Sequence, residues 1–141
     1  MQKLLLPVDG SPSALRAAQF LIRLIDGRPA PEVHLLNVQP PILAGDVTVN
    51  VTIEMANAVH ERAGRDAIKS ARDVLDASAV ACDEHMLVGD PAETIARFAR
   101  EEGVDAIVMG TRGMGLIKAL VLGSVATKVI HLVDVPVTLV K

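Results

Sequence analysis

A strand-like run ending at Met109 opens into Gly110-Thr111-Arg112-Gly113-Met114-Gly115, and Gly123-Ser124 follows at the head of a helical stretch. Four glycines fall within 14 residues. Glycine lets backbone N–H groups approach and wrap an anion without a Cβ in the way. A helix opening at Gly123-Ser124 adds unpaired N–H donors, the positive end of its dipole and a hydroxyl. Arg112 and Lys118 stand in the same stretch, available for the outer phosphates of a nucleotide. The glycines could also serve only to turn the chain, but two would suffice for that.

Charge points the same way. Between Ala106 and Val133 stand Arg112, Lys118 and Lys128 without one Asp or Glu. The rest of the chain holds eleven basic residues against all seventeen acidic ones. A cationic segment in a protein of net charge −3 suits an anionic ligand, although so short a window can arise by chance. Asp9, at the end of the first apolar run, is the second residue of interest. It can contact an adenine or ribose, or help hold a metal near phosphates; Asp9-Gly10 also reads as a plain turn before a helix.

Familiar alternatives fail at named positions. A Walker loop starting at Gly110 needs Lys at 116, where Leu116 stands. A dinucleotide fingerprint from Gly113 needs Gly at 118 and should follow the first strand. A zinc-protease pattern from His60-Glu61 needs His at 64, which is Gly64. His34, His60, His85 and His131 form no recognisable ligand spacing, and each reads as a surface or hydrogen-bonded core histidine. Cys82 reads as a small strand residue rather than a nucleophile.

These residues need elements to hold them. Leu4 to Val8 is a continuous apolar run, as expected of a strand buried on both faces. Ser11-Pro12 then starts a helix with Leu15, Ala18, Leu21, Ile22 and Ile25 at helical spacing, closed by Gly27 and Pro29. Val33–Val38 is a second strand. A long helix is predicted from Thr52 to Asp76, with Ile53, Ala56, Ala63, Ala67, Ala71 and Val74 on its buried side. Val80–Val88 is a more polar strand suited to a sheet edge. Asp90-Pro91-Ala92-Glu93 has the cap, first-turn proline and acidic residue of a helix start, and Gly103 ends that helix. Val104–Met109, a helix from Gly123 to Leu132 and a strand from Val135 to Val140 complete the chain. Such alternation predicts one α/β domain over residues 1–141, a parallel sheet with helices on both faces. Ligands of such sheets sit beyond the strand C-termini, where Asp9 and Gly110 are both expected.

At 141 residues, half of them apolar, the chain is long enough for a core and excludes disorder. Two Phe with no Tyr or Trp leave no stacking platform for single-stranded nucleic acid, and the net charge suggests neither nucleic acid nor membrane as a partner. Ala119–Thr127, the longest uncharged run of the cationic segment, is far too short to span a bilayer. A single cysteine and an N-terminus without a signal-peptide pattern suit a cytoplasmic location.

Gly110-x2-Gly113-x9-Gly123-Ser124 resembles the G-x2-G-x9-G-[S/T] motif of ATP-binding universal stress proteins. Leu5-Leu6-Pro7-Val8-Asp9-Gly10-Ser11, Gly89-Asp90-Pro91, Asp105–Gly110, Gly123–Ala126 and Val135-Pro136-Val137 resemble that family as well. The resemblance covers essentially the whole chain. It implies an open five-stranded parallel sheet of order 3-2-1-4-5, of the adenine-nucleotide α-hydrolase-like kind, and a homodimer. It further implies that Pro7, Asp9 and Val38 surround an adenosine. Met109, Gly110, Arg112, Gly113, Gly123, Ser124 and Val125 would line the ribose and phosphate side, with Asp9 as a weak ligand for magnesium bound with ATP. Gly115 is an extra glycine in the loop. Independently, the apolar strand Val135-Pro136-Val137-Thr138-Leu139-Val140 at a sheet edge invites twofold pairing with a second copy.

The functional reading is a nucleotide-regulated stress-response module whose loop, ordered by ATP, changes the surface offered to a protein partner. The alternative is an enzyme that hydrolyses ATP or transfers its phosphate. The absence of carboxylates between Ala106 and Val133 leaves Asp9 as its main candidate group and argues against efficient catalysis. Slow hydrolysis or self-phosphorylation on Ser124 or Thr111 stays open. A third reading is a nucleotide-free structural stress protein, which the intact glycine spacing argues against.

Overall fold

A computed structural model describes residues 2–41, 52–112 and 122–141. Strands β1 (Lys3–Pro7), β2 (Glu32–Gln39), β3 (Cys82–Val88), β4 (Ala106–Gly110) and β5 (Val137–Val140) alternate with helices α1 (Pro12–Ile25), α2 (Ile53–Ala77), α3 (Pro91–Glu102) and α4 (Ser124–Leu132). The strands form one parallel sheet in the order β3-β2-β1-β4-β5, as expected. The more polar β3 is one edge and β5 the other.

Alternation along the central strands sorts the core into two layers. Leu4 and Leu6 join Val33, Leu35 and Val108 beneath α1 and α2. Leu5, Leu36, Ile107 and Met109 face the other way, beneath α3 and α4. With only two Phe and no Tyr or Trp to fill space, α1 packs through Ala14, Ala17 and Ala18, and its Leu21 is fully buried. Ser11 caps α1, accepting from Ala14 N at 3.1 Å, and Asp90 caps α3, accepting from Glu93 N at 3.0 Å.

The boundaries differ from the predicted ones in instructive ways. Val80 stays outside β3 because its N–H closes the end of α2 on Leu75 O. Val104 does the same for α3 on Ala99 O, so β4 starts at Ala106 and runs one residue further, to Gly110. β5 begins at Val137; Pro136 only lends its carbonyl to Ile107 N. The buried seam of α2 is Gly64, Ala67, Ile68, Ala71 and Leu75, and the expected core residue Ile53 is 81% exposed. Length is the reason: 25 helical residues extend about 38 Å, whereas the 8 residues of β2 reach about 26 Å. The first turns of α2 therefore project past the strand ends.

Candidate functional site

The chain moves outward from β1 through β2 to β3, then crosses back to place β4 on the other side of β1. At that reversal neighbouring connections part, leaving a crevice beyond the strand C-termini. A cleft of about 840 Å³ lies there.

Strand ends and helix segments share the lining. β1 gives Pro7 and then Asp9; β2 gives Val38; β4 gives Met109 and Gly110, followed by Arg112. The start of α4 supplies Gly123, Ser124 and Val125. All of these were expected from the sequence. Gly113 and Lys118 lie outside the described residues.

Local chemistry fixes this rim. Val8 N donates to Leu36 O at 2.8 Å, prolonging β1 against β2. The chain then turns at Gly10, whose φ of +82° is a left-handed conformation that L side chains rarely adopt. Ser11 N donates to Asp9 Oδ1 at 2.9 Å, which aims the carboxylate and leaves its second oxygen uncommitted to that bond. Across the cleft, Gly123 N donates to Thr111 O at 2.6 Å, and Thr111 N donates to Val140 O at 3.0 Å. These bonds tie the head of α4 to the ends of β4 and β5.

The head of α4 is also the one described helix start without a side-chain cap. Ser11, Thr52 and Asp90 cap α1, α2 and α3, whereas the N-cap of α4 is Gly123 and its first turn holds no acidic residue. The first N–H groups of a helix have no partner within it. Here they face a cleft, with the positive end of the helix dipole behind them.

Gly110 has a role that its motif conceals. A Cβ there would lie 2.8 Å from the carbonyl carbon of Ser13 and 2.9 Å from its Cβ, in the first turn of α1. Gly110 closes β4 rather than following it, and its lack of a side chain lets α1 pack against the strand. Packing alone accounts for a glycine at this position.

The structure adds two residues that the motifs did not indicate. Asn37 is buried at 1% exposure, donates from Nδ2 to Val8 O at 2.9 Å and accepts from Gln39 Nε2 at 2.9 Å. It braces the end of β1 just before Asp9. A single amide inside the apolar run Val33–Val38 was the available signal. Asp66, on α2, adds a second carboxylate to the cleft, and Thr111 lines it beside Arg112. No local pattern marks Asp66, because only the packing of α2 brings it there.

The groups with shifted ionisation lie away from this cleft. Burial pushes the Cys82 thiol up, against the opposing pull of Arg72, as fits a small strand residue. Burial, and then the neighbouring His34, hold His85 below its ordinary value. These two histidines, which no spacing connected, meet at 3.0 Å between His34 Nδ1 and His85 Nε2.

A parallel sheet of order 3-2-1-4-5 covered by helices on both faces, with an open crevice at its switch point, defines a doubly wound α/β protein. The model of the universal stress protein family matches residues 1–141, and the chain belongs to that family. It is similar to universal stress protein MJ0531 of Methanocaldococcus jannaschii, 30% identical over 99% of this chain and 82% of that protein. The solved structure of MJ0577 from the same organism superposes with a TM-score of 0.79 at 29% identity, covering 99% of this chain and 95% of the other. The universal stress protein of Archaeoglobus fulgidus in complex with dAMP superposes with a TM-score of 0.69 at 25% identity, covering 100% and 98%. Among the described residues, no helix is long and apolar enough to cross a membrane.

Proposed function

We propose that the chain is an adenine-nucleotide-binding universal stress protein that takes ATP into the cleft between β1 and β4. The observation that carries this reading is the start of α4, which has no side-chain cap among the described residues and whose Gly123, Ser124 and Val125 line the cleft beside Arg112. Phosphate oxygens complete the first N–H donors of α4 as a capping side chain completes them in the other helices. Pro7 and Val38 offer the apolar walls that a base fills, and the uncommitted oxygen of Asp9 suits a ribose hydroxyl. The relative that carries dAMP supports adenine as the base.

A magnesium ion accompanying ATP fits the same rim. Mg²⁺ is held by one or two carboxylates plus phosphate oxygens, and Asp9 supplies one such carboxylate. Bound there, the ion would neutralise phosphate charge.

Ligand occupancy would couple the segment after Arg112 to the start of α4, so the nucleotide state would alter the surface offered to a protein partner in a stress response. The homodimer of this reading uses the outer edge of β5, beyond which no strand is paired among the described residues. Pro136 O and Val140 O accept bonds from the β4 side. Strand alternation then turns the N–H groups of Val137 and Leu139 outward, ready for a symmetric copy.

Calorimetric titration of nucleotide-stripped protein with ATP and magnesium, with GTP as control, tests the ligand. Micromolar ATP binding, about −8 kcal/mol, with weaker GTP binding is the expected result. A folded protein that binds neither would place the chain among nucleotide-free stress proteins. Light scattering tests the dimer: the wild type should have twice the mass of its chain, and Val137→Pro, which removes one outward N–H, should shift it towards monomer.

A further inference from the structure

The far end of the sheet carries a cluster that nucleotide binding does not use. β2 opens with Glu32-Val33-His34, and β3 contains Asp83-Glu84-His85. Alternation puts the first and third residue of each triplet on one face. The register then sets His34 beside Asp83 and Leu36 beside His85. That face is the one covered by α3, where the Phe98 ring lies 5.8 Å from the ring of His34 and 4.7 Å from that of His85. His34 is buried, at 3% exposure, and its Nε2 lies 2.8 Å from Glu32 Oε1. One ligand atom each from Glu32, His34 and Asp83 fall within 4.8 Å of one another. Four residues of strand, about 13 Å, separate His34 from Val38 at the cleft.

We infer that Glu32, His34 and Asp83 form a binding site for a divalent first-row transition ion, with Zn²⁺ as its type. The donor set is the first reason. One imidazole nitrogen with two carboxylate oxygens suits Zn²⁺ and its neighbours, whereas Mg²⁺ and Ca²⁺ take oxygen ligands throughout. The spacing is the second. Two ligands each about 2.1 Å from a shared ion stand at most about 4.2 Å apart, so the present spread closes with a small rotation of the exposed Asp83 side chain.

The third reason is the support behind His34. A metal-bound histidine ordinarily donates its other ring N–H to an acceptor that fixes its orientation. His85 Nε2 stands in that position, 3.0 Å from His34 Nδ1. Without an ion the chain of protons runs from His85 Nε2–H to His34 Nδ1, and from His34 Nε2–H to Glu32. With an ion on His34 Nε2, both imidazoles switch tautomer: His34 carries its proton on Nδ1, and His85 carries its own on Nδ1. Neither ring changes charge, and both nitrogens of the buried His34 keep a partner in both states. Lys3 Nζ makes a long ion pair with the same Glu32 Oε1, at 3.8 Å, while it donates its hydrogen bond to Glu102 O at 3.2 Å; an entering ion displaces that ammonium from the carboxylate. The three ligands leave coordination positions for water, and the exposed Asp83 gives a path for the ion to enter.

The test is titration of chelator-treated protein with Zn²⁺ against a chromophoric competitor, repeated with Mg²⁺. One Zn²⁺ per chain at micromolar affinity or tighter is expected, with no displacement by millimolar Mg²⁺. Asp83→Asn, an exposed substitution that spares the fold, should weaken Zn²⁺ at least tenfold, and His85→Gln about tenfold through loss of the support. ATP affinity should be unchanged in Asp83→Asn, which separates this site from the cleft. A folded wild type that binds no Zn²⁺ would overturn the assignment. Equal Zn²⁺ affinity in wild type and Asp83→Asn would overturn it too, making the cluster a hydrogen-bonded brace.

Discussion

Adding one methyl group at Gly110 separates the packing role of this glycine from a ligand role. The new Cβ would sit 2.8 Å from the backbone carbon of Ser13 and 2.9 Å from its Cβ, both well inside van der Waals contact. Ser13 is 4% exposed and lies in the first turn of α1, whose neighbouring residues Ala14, Ala17 and Ala18 are buried against the sheet. Backbone atoms in a packed helix cannot rotate aside as a flexible side chain can. Relief requires α1 to slide or β4 to bow, and overpacking of this kind costs about 1–3 kcal/mol. We expect Gly110→Ala to lose about 2–3 kcal/mol in urea unfolding, with an unchanged slope against denaturant. Ser13→Gly removes part of the clash, so the double variant should recover about 1 kcal/mol more than additivity allows. A Gly110→Ala protein within about 0.5 kcal/mol of wild type would refute the close contact. Additive losses in the double variant would move the strain away from Ser13.

Three further outcomes follow from other parts of the molecule. Gly123→Val should abolish ATP binding in calorimetry while leaving the thermal unfolding of the protein within a few degrees of wild type; full affinity in the folded variant would remove Gly123 from the phosphate path. Ala79, at φ 56°, holds a left-handed conformation that costs a side chain about 1–2 kcal/mol. After the entropy lost by a more flexible unfolded chain, Ala79→Gly should stabilise by about 0.5–1 kcal/mol, and a lower melting temperature would contradict this. Burial raises the Cys82 thiol above its ordinary value, so less thiolate is present at any given pH. Iodoacetamide should therefore label native Cys82 more slowly than a free thiol at pH 8, the difference vanishing in urea; equal rates would count against a half-buried strand position.

The strands and caps were legible because their signals are local. Ser11-Pro12 and Asp90-Pro91 mark helix starts through bonds that span three residues, and both are present. The buried strand Leu4-Leu5-Leu6 could be read from continuous apolarity alone. Helix ends were harder. Val80 and Val104 carry strand-like side chains, yet their N–H groups satisfy helix C-termini, and backbone accounting overruled side-chain preference. The buried side of α2 was misplaced at Ile53 because periodicity gives the angle of a face but not how far along the helix a sheet extends.

The glycine spacing, the Asp9-Gly10 turn and the alternation of elements, all properties of the sequence alone, pointed to the family, the strand order expected of it and nine of the residues that line the cleft. Those signals work because each rests on backbone freedom, capping or burial within a few neighbouring residues. Only the tertiary structure decided what lies side by side across strands far apart in sequence. It set Asp66 and Asn37 at the cleft, pressed Gly110 onto Ser13 and joined His34 to His85 across 51 residues. Parallel pairing is the physical reason. Its register is fixed by how the core packs, so which side chains become neighbours is settled only when the strands are laid together.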